Sequence, residues 1–114
     1  NAIREFIVRH QSRFEDSSNS KSSQIRDLVG YFDKDDNLFL FTPEGFKEAC
    51  KGLSFKEIQE DLRKKGFLRI NEGNRFTYKK QISGLGRFRF YAVEGKILEY
   101  EDGLTGQNSG AVGQ

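Results

Sequence analysis

The sequence predicts an α+β fold in which about three helices pack on a small antiparallel sheet. Two periodic patterns support this prediction. Hydrophobic residues recur at helical spacing near the start of the chain and again between residues 43 and 65. They then alternate with polar residues from residue 75 to residue 93, which is the period of a half-buried strand.

The first helix is predicted over Ile3–His10. Phe6 and Ile7 follow Ile3 at the spacing of one helical face. His10 is expected to pack against this helix or to end it, because the sequence offers no partner for a ligand role. The polar stretch Glu15–Ser23 is expected to be a surface loop, since it cannot bury enough apolar area to hold itself.

Two strands joined by a turn are predicted next, over Ile25–Phe32 and Leu38–Thr42. Gly30, inside the first strand, is expected to mark a bulge. The acidic turn between the strands has the ligand spacing of a calcium loop, but Leu38 stands where that loop needs a glycine. A solvated turn is therefore expected, and no metal site is predicted.

A second helix is predicted to begin at Pro43. Thr42 is suited to cap it, proline is favoured at a first helical position, and Gly52 is expected to end it. Cys50 lies on the inner face of this helix. It is expected to be a small buried apolar group, because nothing near it in the sequence would favour a thiolate.

A third helix is predicted over residues 55–65. Ser54 and Glu57 have capping-box spacing, in which each side chain satisfies a backbone amide of the first turn. Gly66 follows the last turn, where a left-handed C-cap forms most easily. Only a short turn at Leu53 separates this helix from the preceding one, and that is the spacing of a helix-turn-helix.

A basic β-hairpin is predicted after the helix pair, with strands over residues 75–82 and 87–93. The turn Ser83–Gly86 contains two glycines that are free to adopt positive φ. Phe76, Tyr78 and Ile82 are expected to face the core from the first strand, as are Phe88, Phe90 and Ala92 from the second. The opposite face is basic, so the helix pair and the hairpin together predict a winged helix-turn-helix.

Positive charge is concentrated in residues 62–91. This segment has nine Lys or Arg against one acid, Glu72, a net charge of +8. Residues 1–61 and 92–114 each carry a net charge of −3, so the overall charge of +2 conceals a strong segregation. A field of a single sign over one segment favours a polyanionic partner.

The composition excludes several other classes of protein. One Cys and one His cannot form an internal disulfide or a zinc site, which favours a reducing, cytoplasmic compartment. No stretch is apolar enough to span a membrane. No catalytic residue and no cofactor is predicted, because the lone His10 and Cys50 lie on different helices without a third group. Residues 1–99 are expected to form one winged-helix-like domain and residues 100–114 a flexible tail.

Two stretches resemble the C-terminal region of the phage and plasmid primase-helicase family, a domain of unknown function. They are IREFIVRHQSRFE near the start and RFTYKKQISGLGRFRFYAVEGKILE near the end. The family's closing pattern, Gly-Leu-Gly-Arg-x-Arg-x-Tyr, is matched by residues 84–91. The resemblance implies a bacterial, phage or plasmid source and a parent helicase that acts in DNA replication. Since GxxxxGK[ST] is absent here, it also implies a non-catalytic module whose partner is the parent's ATPase domain.

The leading functional prediction is an accessory DNA-binding domain that contacts mainly the phosphate backbone. Lys56, Gln59 and Arg63 are expected to form a ridge on the solvent side of the third helix. Because Glu60 on the same helix would repel phosphate, binding is expected to be largely non-specific. The residues predicted to bind nucleic acid are Lys56, Gln59, Arg63, Lys64, Arg75, Lys79, Arg87 and Arg89.

Two alternatives remain open at this stage. A module of this charge and size also suits docking on a protein partner or oligomerisation of the parent. Single-stranded DNA bound through stacked aromatic side chains is a third hypothesis, given eleven Phe and four Tyr.

Overall fold

The computed structural model describes residues 1–18, 27–71, 73 and 76–99. In this part of the chain three α-helices pack on a six-stranded mixed sheet. The helices are α1 (Ala2–Arg9), α2 (Pro43–Ala49) and α3 (Phe55–Lys64), with 3₁₀ turns at Gln11–Arg13 and Gly95–Glu99. The strands are β1 (Phe14–Asp16), β2 (Gly30–Asp33), β3 (Leu38–Phe41), β4 (Leu68–Arg69), β5 (Tyr78–Ile82) and β6 (Gly86–Glu94).

The sheet has the order β1-β2-β3-β6-β4, and β5 pairs with the other end of β6. All neighbours are antiparallel except β1 and β2, which are parallel. The α+β class is confirmed, but the prediction of a small antiparallel sheet is wrong, because β1 adds a parallel edge strand. The specific winged-helix arrangement stays a prediction.

Strand β1 lies partly in the stretch that was predicted to be a loop. Phe14 is buried and pairs with Gly30, and Glu15 and Asp16 continue the ladder along β2. The loop prediction is therefore wrong for these two residues, since hydrogen bonding to β2 stabilises them despite their polarity. Residues 19–23 of the same stretch lie outside the described residues.

Strand β2 begins at Gly30, later than the predicted Ile25, and residues 25 and 26 lie outside the described part of the chain. The predicted bulge is wrong, because the register from Gly30 opposite Phe41 to Asp33 opposite Leu38 is regular. Glycine is needed there for a different reason. A Cβ at this position would meet the backbone carbonyl of Leu40 on β3.

The two N-cap hydroxyls and the glycine after α3 act as predicted. Thr42 Oγ1 accepts a hydrogen bond from the amide of Gly45 at 2.9 Å, and Ser54 Oγ accepts one from Glu57 at 3.3 Å. Gly66 follows α3 with φ of +80°. At the end of α1, His10 packs on Phe6 with ring centroids 4.4 Å apart. None of the helices in the described residues is long and apolar enough to cross a bilayer.

The sheet is buried on both faces. All three helices cover one face, and the core there includes Phe41, Phe46, Leu62 and Val93. The opposite face is covered by β5 itself. Its core consists of Tyr31, Leu38, Leu40, Ile82, Phe90 and Ala92.

The β5–β6 hairpin folds back over the β2–β3 strands. Ile82 of β5 is packed with the residues of this second core, and Tyr78 lies against it. At the tip of the hairpin, the Ser83 amide donates to the Ser17 carbonyl, just after β1, at 3.2 Å. The curled sheet thus holds the hairpin at its base and at its tip. Residues 100–114, the predicted tail, lie outside the described residues.

Candidate nucleic-acid interface

The outer face of the hairpin brings one pair of positive side chains directly opposite each other. Lys79 on β5 lies opposite Arg89 on β6, and Gln81 lies opposite Arg87. All four side chains are exposed. Like charges directly opposite each other destabilise an isolated sheet, so this arrangement favours a bound anion.

Carboxylates do not neutralise this face. Among the described residues, no acidic side chain lies within 4.0 Å of the charged nitrogens of Lys79, Arg87 or Arg89. Other cations of the basic segment are used internally. Arg69 Nε lies 2.9 Å from Glu94, and Lys65 Nζ lies 3.2 Å from Asp61.

Lys80 points inward and leaves the outer face to its neighbours. Its ammonium group lies 2.9 Å from the Asp33 carboxylate and 3.5 Å from Asp36. The alternation of β5 thus separates one structural lysine from the exposed Lys79. The sequence places Lys79 and Lys80 on the same basic strand but does not show that Lys80 pairs with a buried carboxylate.

The cationic face lies on the same side of β6 as the helix pair. Tyr91 on that side stacks on Phe46 of α2 at 4.5 Å and meets the edge of Phe55 of α3 at 5.7 Å. Side chains alternate along a strand, so Arg87 and Arg89 project from β6 on the side that Tyr91 occupies. The cations of the hairpin therefore project from β6 on the side that the helix-turn-helix covers further along the strand.

Helix α3 contributes three further exposed cations, Lys56, Arg63 and Lys64. The guanidinium carbon of Arg63 lies 5.8 Å from the ring centroid of Phe76, which leads into β5. This cation–π contact joins the helix to the hairpin and directs the Arg63 side chain toward the basic face. Arg75, also predicted to bind nucleic acid, lies outside the described residues.

The expected orientation of Gln59 is wrong. Its side chain is 7% exposed and hydrogen-bonds to Tyr91, so it belongs to the interior. The physical reason is its helical position, since Gln59 shares the inner face of α3 with Phe55 and Leu62. The predicted ridge therefore consists of Lys56 and Arg63 without Gln59.

The acidic residues of α3 are divided between its flanks. Glu57 and Asp61 line a groove between α3 and the start of α1, away from the Phe76 contact. Glu60 is exposed, as predicted, and lies between Lys56 and Arg63 on the helix surface. Repulsion of phosphate thus comes mainly from Glu60.

Phe88 was expected to face the core, but 46% of its surface is exposed. Strand β3 ends at Phe41, which lies opposite Tyr91. The part of β6 that contains Phe88 therefore has no β3 residue beside it. A recess lined by Phe88, Phe90 and Tyr31 opens here beside the first turn of α2. The alternation of polar and apolar residues in the sequence could not predict this recess, because the length of β3 determines which residues of β6 are covered.

Cys50 is not an activated nucleophile. Burial raises the pKa of the Cys50 thiol to about 11, so this side chain is a protonated apolar group near neutral pH. No group of three metal-binding side chains occurs within the described residues. The arrangement is suited to binding an anionic surface.

A sequence model of the Cch helix-turn-helix domain family matches residues 1–96. No curated protein and no solved structure matches the chain. The family match shows that the resemblance to the primase-helicase C-terminal region is wrong. The phage or plasmid source, the replicative helicase parent and the ATPase partner rested on that resemblance and lose their support with it.

Proposed function

The chain belongs to the Cch helix-turn-helix domain family, and we propose that it binds DNA mainly through the phosphate backbone. Helix-turn-helix domains generally bind DNA, and their sequence-independent affinity comes from cations placed along the phosphates. The proposed contacts are the outer face of the β5–β6 hairpin and the exposed cations of α3. The described residues of this surface are Lys56, Arg63, Lys64, Lys79, Arg87 and Arg89. Arg75 is added from the sequence alone.

The observation that supports this most strongly is the Lys79–Arg89 pair. The two cations lie on directly opposed residues, and neither has a carboxylate partner in the described part of the chain. An anion between them would relieve their mutual repulsion. The hairpin then acts as the wing of a winged helix, although its tip rests on the sheet.

Specific contacts to bases are expected to be few. Gln59, whose amide could have paired with adenine, is buried against Tyr91. Arg63 packs on Phe76, and Glu60 repels the backbone between the α3 cations. We therefore expect affinity that depends steeply on salt and weakly on sequence.

A second candidate function is docking of a protein partner in the groove between α1 and α3. This groove has a volume of about 550 Å³, and Leu53 at its edge is 54% exposed. Glu57 and Asp61 line it together with Lys65, which pairs with Asp61 at 3.2 Å, so it is suited to an apolar side chain beside a cation that reaches Glu57. The groove and the basic face lie on different flanks of α3, and the two functions can be tested separately.

The deciding experiment is fluorescence anisotropy of labelled duplex and single-stranded DNA across a salt series. We expect the Lys79→Ala/Arg87→Ala/Arg89→Ala variant to lose up to about three units of the logarithmic salt slope, at ~0.9 for each duplex phosphate that is no longer neutralised. The matched control is Arg9→Ala/Lys51→Ala/Lys96→Ala, which removes the same charge from exposed positions outside the proposed surface. Its slope should stay close to that of the wild type.

Equal losses in both triple variants would mean that only net charge matters and would refute the assignment of the hairpin face. Absence of binding by the wild type at low salt would refute DNA binding altogether. In that outcome the groove between α1 and α3 becomes the leading site, and a Glu57→Lys variant would test capture of a basic partner peptide.

A further inference from the structure

We propose that the recess beside Phe88 holds one unpaired nucleobase of a DNA strand whose phosphates lie on the hairpin. This inference rests on the proposed DNA-binding function and specifies the ligand of the same surface. It requires an aromatic platform, a polar edge that meets the base and a cation that meets its phosphate. The recess provides each of these.

The aromatic platform is Phe88. It lies near the open end of the second core, where Phe90 is 6.3 Å away and Tyr31 meets Phe90 edge-on at 5.8 Å. The recess has a volume of about 370 Å³, and Pro43 is also among its lining residues. Every base has a π-face that can stack on such a ring.

The polar edge is supplied by the first turn of α2. Glu44 is exposed and lines the recess together with Thr42. A carboxylate can accept hydrogen bonds but cannot donate them, so it favours the three bases with an exocyclic amine, cytosine, adenine and guanine. Thymine, whose ring nitrogen is its single donor, fits this edge less well.

Arg89 joins the recess to the phosphate-binding face. It lines the recess and also belongs to the outer row of cations, opposite Lys79. A strand that follows this row would bring a phosphate to Arg89 while its base turns past the backbone of β6 toward Phe88. A base stacked inside a duplex cannot reach the recess unless it is first unpaired and unstacked, which is unfavourable.

The test compares Phe88→Ala with Leu85→Ala. Leu85 is the matched control, because it belongs to the same hairpin and is also 46% exposed. We expect Phe88→Ala to weaken binding of a single-stranded adenine- and cytosine-rich oligonucleotide by about five- to 150-fold, the range for loss of one stacked base. Duplex affinity and the salt slope should change little, and Leu85→Ala should match the wild type in both assays.

A direct readout of stacking is the fluorescence of 2-aminopurine placed in the single strand. The wild type and Phe88→Tyr should quench it, and Phe88→Leu, which keeps an apolar side chain but no ring, should not. Thermal unfolding of each variant reports whether the domain is intact. If Phe88→Ala fails to fold, the difference in quenching between Phe88→Tyr and Phe88→Leu tests the stacking.

Equal single-strand affinity of Phe88→Ala, Leu85→Ala and the wild type would overturn the recess proposal and leave the hairpin assignment standing. The same holds if Phe88→Ala weakens duplex and single strand alike, because the ring would then support the fold. A wild type that binds neither DNA would overturn both proposals, so the two failures are distinguishable.

Discussion

The ammonium group of Lys80 lies 2.9 Å from the carboxylate of Asp33, a side chain that is almost fully buried. Burial on its own would raise the pKa of the Asp33 carboxyl. The lysine and the backbone amides of Asp36 and Asp35 outweigh it, and the net pKa is lowered. This ion pair links β5 to the last residue of β2, so it fixes the hairpin on the sheet.

Replacing Lys80 with alanine should destabilise the domain without weakening its DNA contacts. The substitution leaves a buried carboxylate without its cation, which costs about 1–3 kcal/mol. Urea unfolding measures this loss, and Lys79→Ala should stay within about 0.5 kcal/mol of the wild type. The salt slope of DNA binding should fall for Lys79→Ala and stay unchanged for Lys80→Ala. A reduced slope for a fully stable Lys80→Ala would contradict the inward orientation.

The Asp33–Lys80 pair should also make stability depend on acid pH. Because the folded pKa of Asp33 lies below its unfolded value, the ionised carboxylate adds stability above about pH 4, and this is lost as pH falls through the folded pKa. Asp33→Asn should flatten the stability profile below about pH 5. Thermal unfolding at several pH values measures this, with the exposed Asp35→Asn as control. Identical profiles for Asp33→Asn and the wild type would show that the pair does not contribute.

Gln59→Ala should affect stability and leave DNA binding unchanged. The substitution removes the hydrogen bond to Tyr91 and part of the packing on the inner face of α3, a loss of about 1–2 kcal/mol. Denaturant unfolding measures it, and Glu60→Ala at the exposed neighbouring position is the control. A changed salt slope with unchanged stability would restore the role in DNA binding that the sequence suggested for Gln59.

Gly45→Ala should loosen the attachment of α2 to the sheet. A Cβ at position 45 would lie 2.8 Å from the carbonyl carbon of Val29, a backbone atom that cannot move aside easily. Overpacking of this kind costs about 1–3 kcal/mol. Chemical unfolding should show the loss, whereas Lys47→Ala, on the exposed face of the same helix, should be nearly neutral. An unchanged Gly45→Ala would mean that α2 is not seated against Val29.

Cys50 should react slowly with iodoacetamide in the folded domain. Burial excludes the reagent and raises the thiol pKa to about 11, so little thiolate is present at pH 8. Mass spectrometry should show much faster alkylation in denaturant, where the thiol regains its ordinary pKa. Fast alkylation of the native domain would show that the inner face of α2 opens readily.

The features that sequence predicted well depend on neighbouring residues. Thr42, Ser54 and Gly66 act within one helical turn of their own positions, and the structure confirms the two caps and the positive φ. β1 and the seating of the hairpin depend on strands that lie far apart in the chain. No local pattern indicates that Ser83 would bond to Ser17.

The candidate site shows the same division. Alternation along β5 and β6 indicated an outer basic face, and Lys79, Arg87 and Arg89 are exposed there. The predicted orientations of Gln59 and Phe88 are wrong, because the exposure of each side chain depends on which distant residues pack against it. Gln59 lies on the apolar face of α3 because it hydrogen-bonds to Tyr91, and Phe88 is exposed because β6 extends past the end of β3.

The helix-turn-helix occupies a particular place in the chain, between β3 and β6, which pair with each other. It therefore lies in a segment whose two ends are joined by the sheet, because Phe41, just before α2, pairs with Tyr91 of β6. Such distant pairings slow folding. A peptide containing only α2 and α3 would lack both Val29 and Tyr91, on which these helices rest. Transplanting the helix pair into another protein would thus require the two strands as well.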